Sequence, residues 1–109
     1  MATLAISNVT AINTVSTTPA QIIGINPART QIIFHNPGTV DIVVFPALVL
    51  NASGGNTVLT PNTSTLGGGF RVFGNGGMIA IGAPVAQQAW QALSISSSGN
   101  PLTIVEQTQ

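Results

Sequence analysis

An all-β fold is predicted, a single antiparallel β-sandwich of jelly-roll or immunoglobulin-like outline. Three observations predict it. Gly (12) and Pro (7) break the chain at short intervals, the turn spacing of sandwiches and barrels. The runs between them are short and rich in Val, Ile, Thr and Phe, which fit a pleated, half-buried surface. The length, 109 residues, suits one domain around one core. No linker or fixed-period repeat divides residues 1–109.

The elements follow in order. Strands are expected near 3–7 (TLAIS) and 12–16 (INTVS). The segment 1–18 that contains them mixes polar and apolar residues and has two readings. It is an arm that adds a strand to a neighbouring copy, or it pairs within its own chain. AQIIGI (20–25) ends at Asn26-Pro27, and TQIIFHN (30–36) ends at Pro37-Gly38. VDIVVFP (40–46) is followed by the turn-forming stretch Asn51 to Asn56. NTVLT (56–60) stops at Pro61-Asn62. Glycine-rich LGGGF and FGNGG flank a strand at 69–73 and lead into another at 77–82. They read as hairpin turns or bulges. Neither is a G-x-x-x-x-G-K-[ST] phosphate loop, and the chain has no lysine. The last strands fall near 88–96 and 102–107, with Ser97 to Pro101 between them. Each turn marker supplies fixed φ, positive φ or local side-chain bonding.

APVAQQAWQALS (83–94) supports two patterns. A helix beginning at Pro84 would stack Val85, Ala89 and Leu93. A loop followed by a strand is favoured, because Leu93-Ser94-Ile95-Ser96 alternates and runs to a Gly-Asn-Pro stop.

NPARTQIIFHNPGTVDIVVFPA (26–47) reads as a hairpin whose two faces are both largely apolar. A five-residue loop, Asn36 to Val40, places Pro37 and Gly38 at the favoured positions of a type II turn. It sets His35 opposite Asp41 and Phe34 opposite Ile42. Ile32, Phe34, Ile42 and Val44 then face the core. A one-residue slip would press the Asp41 carboxylate against that apolar side. Ile33, Val43 and Phe45 form a second apolar strip beside a cross-strand His35–Asp41 ion pair. Either a neighbouring subunit or a covering loop of the same chain must shield the strip, and the subunit is the favoured reading. Ile33, Val43, Phe45 and Trp90 are therefore the expected assembly contacts.

Only 4% of residues are charged: Arg29, Arg71, Asp41 and Glu106. An ordinary soluble domain carries about 25%. So little charge does little to keep copies apart, which points to assembly as a homo-oligomer. Two arginines cannot neutralise a run of phosphates, so nucleic acid is not an expected partner. No stretch approaches the ~20 apolar residues of a membrane span. MATLAISNVT lacks the basic region and long apolar core of a signal peptide, so folding in a cytoplasm is expected. The sequons at Asn8, Asn51 and Asn62 then read as chance matches in an Asn/Thr-rich chain.

Groups for catalysis are scarce. The acid–base candidates are His35, Asp41 and Glu106. No Gly-x-Ser-x-Gly stretch poises a serine for His35. One His, two carboxylates and no Cys make neither a zinc nor a calcium site. No enzyme activity, metal or cofactor is expected. Trp90, the one tryptophan, is a core residue, an interface anchor or a sugar-stacking platform, in the first two roles before the third. Arg29 and Arg71 pair with Glu106 or Asp41, or bind carbonyls. So few titratable groups also predict a flat stability profile from acid to neutral pH.

The order of motifs carries a resemblance. Asn26-Pro27-Ala28-Arg29-Thr30-Gln31-Ile32-Ile33-Phe34-His35-Asn36 is followed by Leu66 to Gly69, by Trp90 to Ser94, and by Leu102 to Glu106. In this order, over most of residues 20–107, the chain resembles small β-rich virion proteins of tailed bacteriophages. The segment from Gly74 to Gln88 is longer than that pattern. The resemblance implies a β-sandwich that assembles, often as trimers on a capsid, and carries over no catalytic residue. It makes a capsid decoration or cement protein, bound to its own copies and to the major capsid protein, the expected function. A carbohydrate- or receptor-binding module of a tail or head fibre, centred on Trp90, is the alternative.

Overall fold

The computed structural model describes residues 6–46, 48–50, 56–58 and 69–108. Ten strands follow in chain order: β1 (Ile6–Val15), β2 (Ala20–Ile23), β3 (Arg29–Asn36), β4 (Ile42–Pro46), β5 (Leu48–Leu50), β6 (Asn56–Val58), β7 (Phe70–Val72), β8 (Gly77–Gly82), β9 (Trp90–Ser94) and β10 (Asn100–Thr108). The expected turns at 51–55, Pro61-Asn62 and Gly67-Gly68 lie outside the described residues. So do the expected strand residues 3–5 and 59–60, Leu66, and the sequons at Asn51 and Asn62.

The first half of the chain runs antiparallel to the second. Val9 lies opposite Val105, Gln21 opposite Gln91, Ile33 opposite Ala80, and Val43 opposite Arg71. The chain is thus one long hairpin, with β5 and β6 paired as a short ribbon of their own. Rolled up, it forms two four-stranded antiparallel sheets, ordered β1-β10-β3-β8 and β2-β9-β4-β7. Of the two expected outlines, this strand order is the jelly roll.

Rolling brings alternate residues together in the core. Ile32, Phe34, Leu102 and Ile104 from the first sheet meet Ile42, Val44, Val72, Trp90 and Ala92 from the second. Trp90 is fully buried, with its ring 5.1 Å from that of Phe34 and 6.1 Å from that of Phe70. The expected inward set Ile32, Phe34, Ile42 and Val44 is the observed one.

The expected hairpin is not. β3 and β4 belong to opposite sheets, so Phe34 pairs with Ile104 and Ile79 rather than with Ile42. Asn36 explains why the chain crosses there. Its buried Nδ2 donates to the carbonyls of Val40 (2.8 Å) and Val72 (3.0 Å), and its Oδ1 accepts from the Gly38 N–H (3.0 Å). One amide thereby satisfies backbone groups that a sheet ladder would otherwise have to pair. The FGNGG stretch is likewise a crossover between sheets, from β7 to β8, with Asn75 and Gly76 at positive φ.

Residues 83–94 follow the loop-then-strand pattern, with a 3-10 turn at Val85–Gln87 ahead of β9. The two strands expected at 3–7 and 12–16 are one strand, β1, with a register shift between Ile12 and Val15. β1 pairs with β10 of its own chain. β5 was not anticipated.

Arg29, at the start of β3, is 1% exposed and reaches Glu106 of β10. Its guanidinium also donates to the carbonyls of Ala86 (2.6 Å), Gln88 (3.0 Å) and Gly24 (2.9 Å). It thus ties the β2–β3 loop and the 3-10 turn to the first sheet.

Candidate interaction face

Three of the four expected assembly contacts lie inside the protomer. Val43 is 5% exposed, and Phe45 and Trp90 are fully buried. Val43 and Phe45 do form a second apolar strip on the outer side of the second sheet, joined by Leu93. Their cover comes from the same chain, the second of the two readings. At Gly69 the backbone lies so close that a Cβ would stand 3.0 Å from Phe45 Cβ and 3.1 Å from Val43 Cγ1. Trp90, sealed between Phe34 and Phe70, offers no ring face to a sugar or a partner.

The His35–Asp41 pair does not form either, because His35 lies in β3 of the first sheet while Asp41 leads into β4 of the second. Asp41 Oδ2 accepts from Arg71 (Nε at 2.9 Å), and Oδ1 accepts from the Gly74 N–H at 2.7 Å. That Gly74 hydrogen bond is the main reason the Asp41 carboxyl titrates below its usual value of 3.8. Partial burial pulls the other way, and the Arg71 guanidinium adds to the lowering. His35 instead lies between Thr103 of β10 and Met78 of β8. The alternatives for the arginines resolve as Arg29 with Glu106 and Arg71 with Asp41, the ion pairs found among the described residues.

Ile33 is the expected contact that does face outward, and the topology gives it neighbours that the sequence did not reveal. The register places Val9, Val105, Ile33 and Ala80 side by side, one from each strand of the first sheet. Below this apolar row runs Ala11, Thr103, His35 and Met78; above it runs Ser7, Gln107, Gln31 and Gly82. None of these residues carries a formal charge, and His35 is their one titratable side chain. The sheet's charges, Arg29 and Glu106, are buried against each other. Val9 (63%) and Met78 (62%) are large apolar side chains left in solvent.

Three rows on four strands make a patch of roughly 400 Å², from ordinary strand and residue spacings. Its chemistry suits adhesion to another uncharged protein surface. Among the described residues no cluster of three His, Cys, Asp or Glu side chains gathers, and no helix is long and apolar enough to cross a membrane. The signal for the missed members was the alternation at Thr103, Val105 and Gln107, legible as a face but not as a neighbour of Ile33. Comparison with protein-family models, with curated proteins and with solved structures found no match.

Proposed function

We propose that this chain is a non-enzymatic virion structural protein, a capsid decoration or cement protein that binds its own copies and the major capsid protein of a phage shell. The observation that carries the reading is the uncharged outer face of the first sheet, crossed by the row Val9, Val105, Ile33 and Ala80. A monomer gains nothing from holding Val9 and Met78 in water, whereas a partner that covers them removes apolar surface from solvent. The motif order along residues 20–107 supports the phage setting. The jelly roll hosts viral capsid and lectin domains alike, so the fold by itself does not choose between them.

Mechanistically, one patch of this size is small. A standard interface takes about 800 Å² from each partner. Repetition on a regular shell compensates, because each further contact of a linked set is made at high effective concentration. Mass spectrometry of gradient-purified particles, from a lysate that encodes this chain, tests the reading. The expected result is a constant ratio of this chain to the major capsid protein across the particle peak. A chain confined to the soluble fraction would overturn it.

A further inference from the structure

Among the described residues the first sheet ends in β1, whose outer edge has no strand beside it. Edge strands of soluble proteins are normally blunted by shortness, charge, proline or a bulge. The edges of the second sheet follow that rule: β2 has four residues and β7 three. β1 does not. It runs for ten residues, ISNVTAINTV, with no charge and no proline. Its register irregularity comes only after Ile12, so Ile6 to Ile12 present an even ladder.

That even stretch reads nearly the same in both directions. Turned antiparallel on itself about Val9, it sets Val9 against Val9, Asn8 against Thr10, Ser7 against Ala11, and Ile6 against Ile12. A two-fold dimer needs this self-complementarity, since each contact must recur with its members exchanged. The register also preserves the two faces, because pairs in it match odd with odd and even with even positions.

Resting on the self-association in the proposed function, we infer that two copies join through their β1 edges, antiparallel and centred on Val9, into one eight-stranded sheet. The apolar rows of the two protomers then run on as a single strip through the paired Val9 residues. The outer face doubles to roughly 800 Å² by the same strand spacings, the share one partner contributes to a standard interface. The dimer is thus the form in which the face is large enough to hold a shell. The edge gives a two-fold pair, in contrast to the trimers that the sequence resemblance implies. β8, the sheet's other edge, is shorter and has glycine at both ends, which weakens it as a pairing template.

The chain has no cysteine, so single replacements are clean reporters. Val9→Cys, Ser7→Cys and Ala80→Cys are each oxidised mildly in the full chain and run on denaturing gels. Val9→Cys is expected to give a covalent dimer, since opposed Cα atoms in an antiparallel pair lie about 4.5–5.5 Å apart, within disulfide range. Ser7→Cys is expected to stay monomeric on the gel, because two Ser7 positions would stand about 14 Å apart. Val9→Lys, at an exposed position, is expected to fold as the parent does and to weaken dimerisation in sedimentation by about tenfold or more, through like charges set face to face. Failure of Val9→Cys to cross-link, equal cross-linking at Ser7→Cys, preferential cross-linking at Ala80→Cys, or a trimer mass would each overturn the edge pairing. Particle occupancy is measured separately. A chain that decorates particles without cross-linking at position 9 loses only the edge pair, and one that cross-links but is absent from particles loses only the virion role.

Discussion

Arg29 and Glu106, 77 positions apart in sequence, meet inside the sandwich at 2.8 Å. With Glu106, Ala86, Gln88 and Gly24 as acceptors, four of the five guanidinium N–H donors make hydrogen bonds, and Nη2 also lies 2.8 Å from Glu106 Oε2. Such a group is costly to leave half-paired. Glu106→Ala is expected to lower unfolding free energy by about 3–5 kcal/mol, because it strands a buried cation. Replacing both residues, Arg29→Met with Glu106→Leu, is expected to remain destabilised, because Arg29→Met leaves the Ala86, Gln88 and Gly24 carbonyls without their side-chain donor. Urea denaturation measures both, and near-parental stability of Glu106→Ala would contradict the assignment.

Asn36 holds the crossover from β3 to β4. Asn36→Ala leaves the Val40 and Val72 carbonyls and the Gly38 N–H without their side-chain partner. The expected loss is about 1–3 kcal/mol. Asn36→Asp is expected to do at least as much harm, since a carboxylate cannot donate to two carbonyls. Thermal unfolding of the two variants side by side checks the order.

Gly69 has φ +106° and would carry a Cβ 2.8 Å from the Val44 carbonyl oxygen. Gly69→Ala is therefore expected to destabilise by more than about 1 kcal/mol, through both strain and displacement from the strip over Val43 and Phe45. A neutral outcome would contradict the close approach of the Gly69 backbone to Val44 and Phe45.

Asp41 supplies an acid-side dependence. Its carboxyl is held below the usual 3.8 in the folded chain. A lowered folded-state value means that the contribution is fully present above about pH 4 and is lost as pH falls through the folded value. Asp41→Asn is expected to remove that part of the pH dependence below about 4 and to leave the slope above it unchanged. Denaturation curves at stepped pH measure it.

What the sequence made legible was local. Ile32, Phe34, Ile42 and Val44 are inward as expected although the hairpin register used to assign them does not form, because burial depends on which face a residue takes and not on which strand lies beside it. Pairing was not legible. The Pro37-Gly38 signal suits a hairpin, but a jelly roll pairs Phe34 with Ile104 and Ile79, and no short-range cue encodes such distant partners. His35 and Asp41 were therefore brought together wrongly. Asn8 and Thr10 hid the continuity of β1, since inward positions on an edge strand are only partly covered and tolerate polar residues. Val43 and Phe45 were correctly read as a second apolar strip, but they are buried within their own chain, where a subunit was expected. Of the outward face only Ile33 was found, because Val9, Val105 and Ala80 join it through ladders that span the whole chain.

Occupancy of purified particles by Ala80→Lys, beside the parent chain and Ile25→Lys, tests the role of the uncharged face most directly. Ala80 is an exposed member of the apolar row, while Ile25, 71% exposed, lies in the β2–β3 loop off that face. The expected result is that Ala80→Lys folds and leaves the particles while Ile25→Lys remains on them. Parental occupancy by Ala80→Lys would contradict the account.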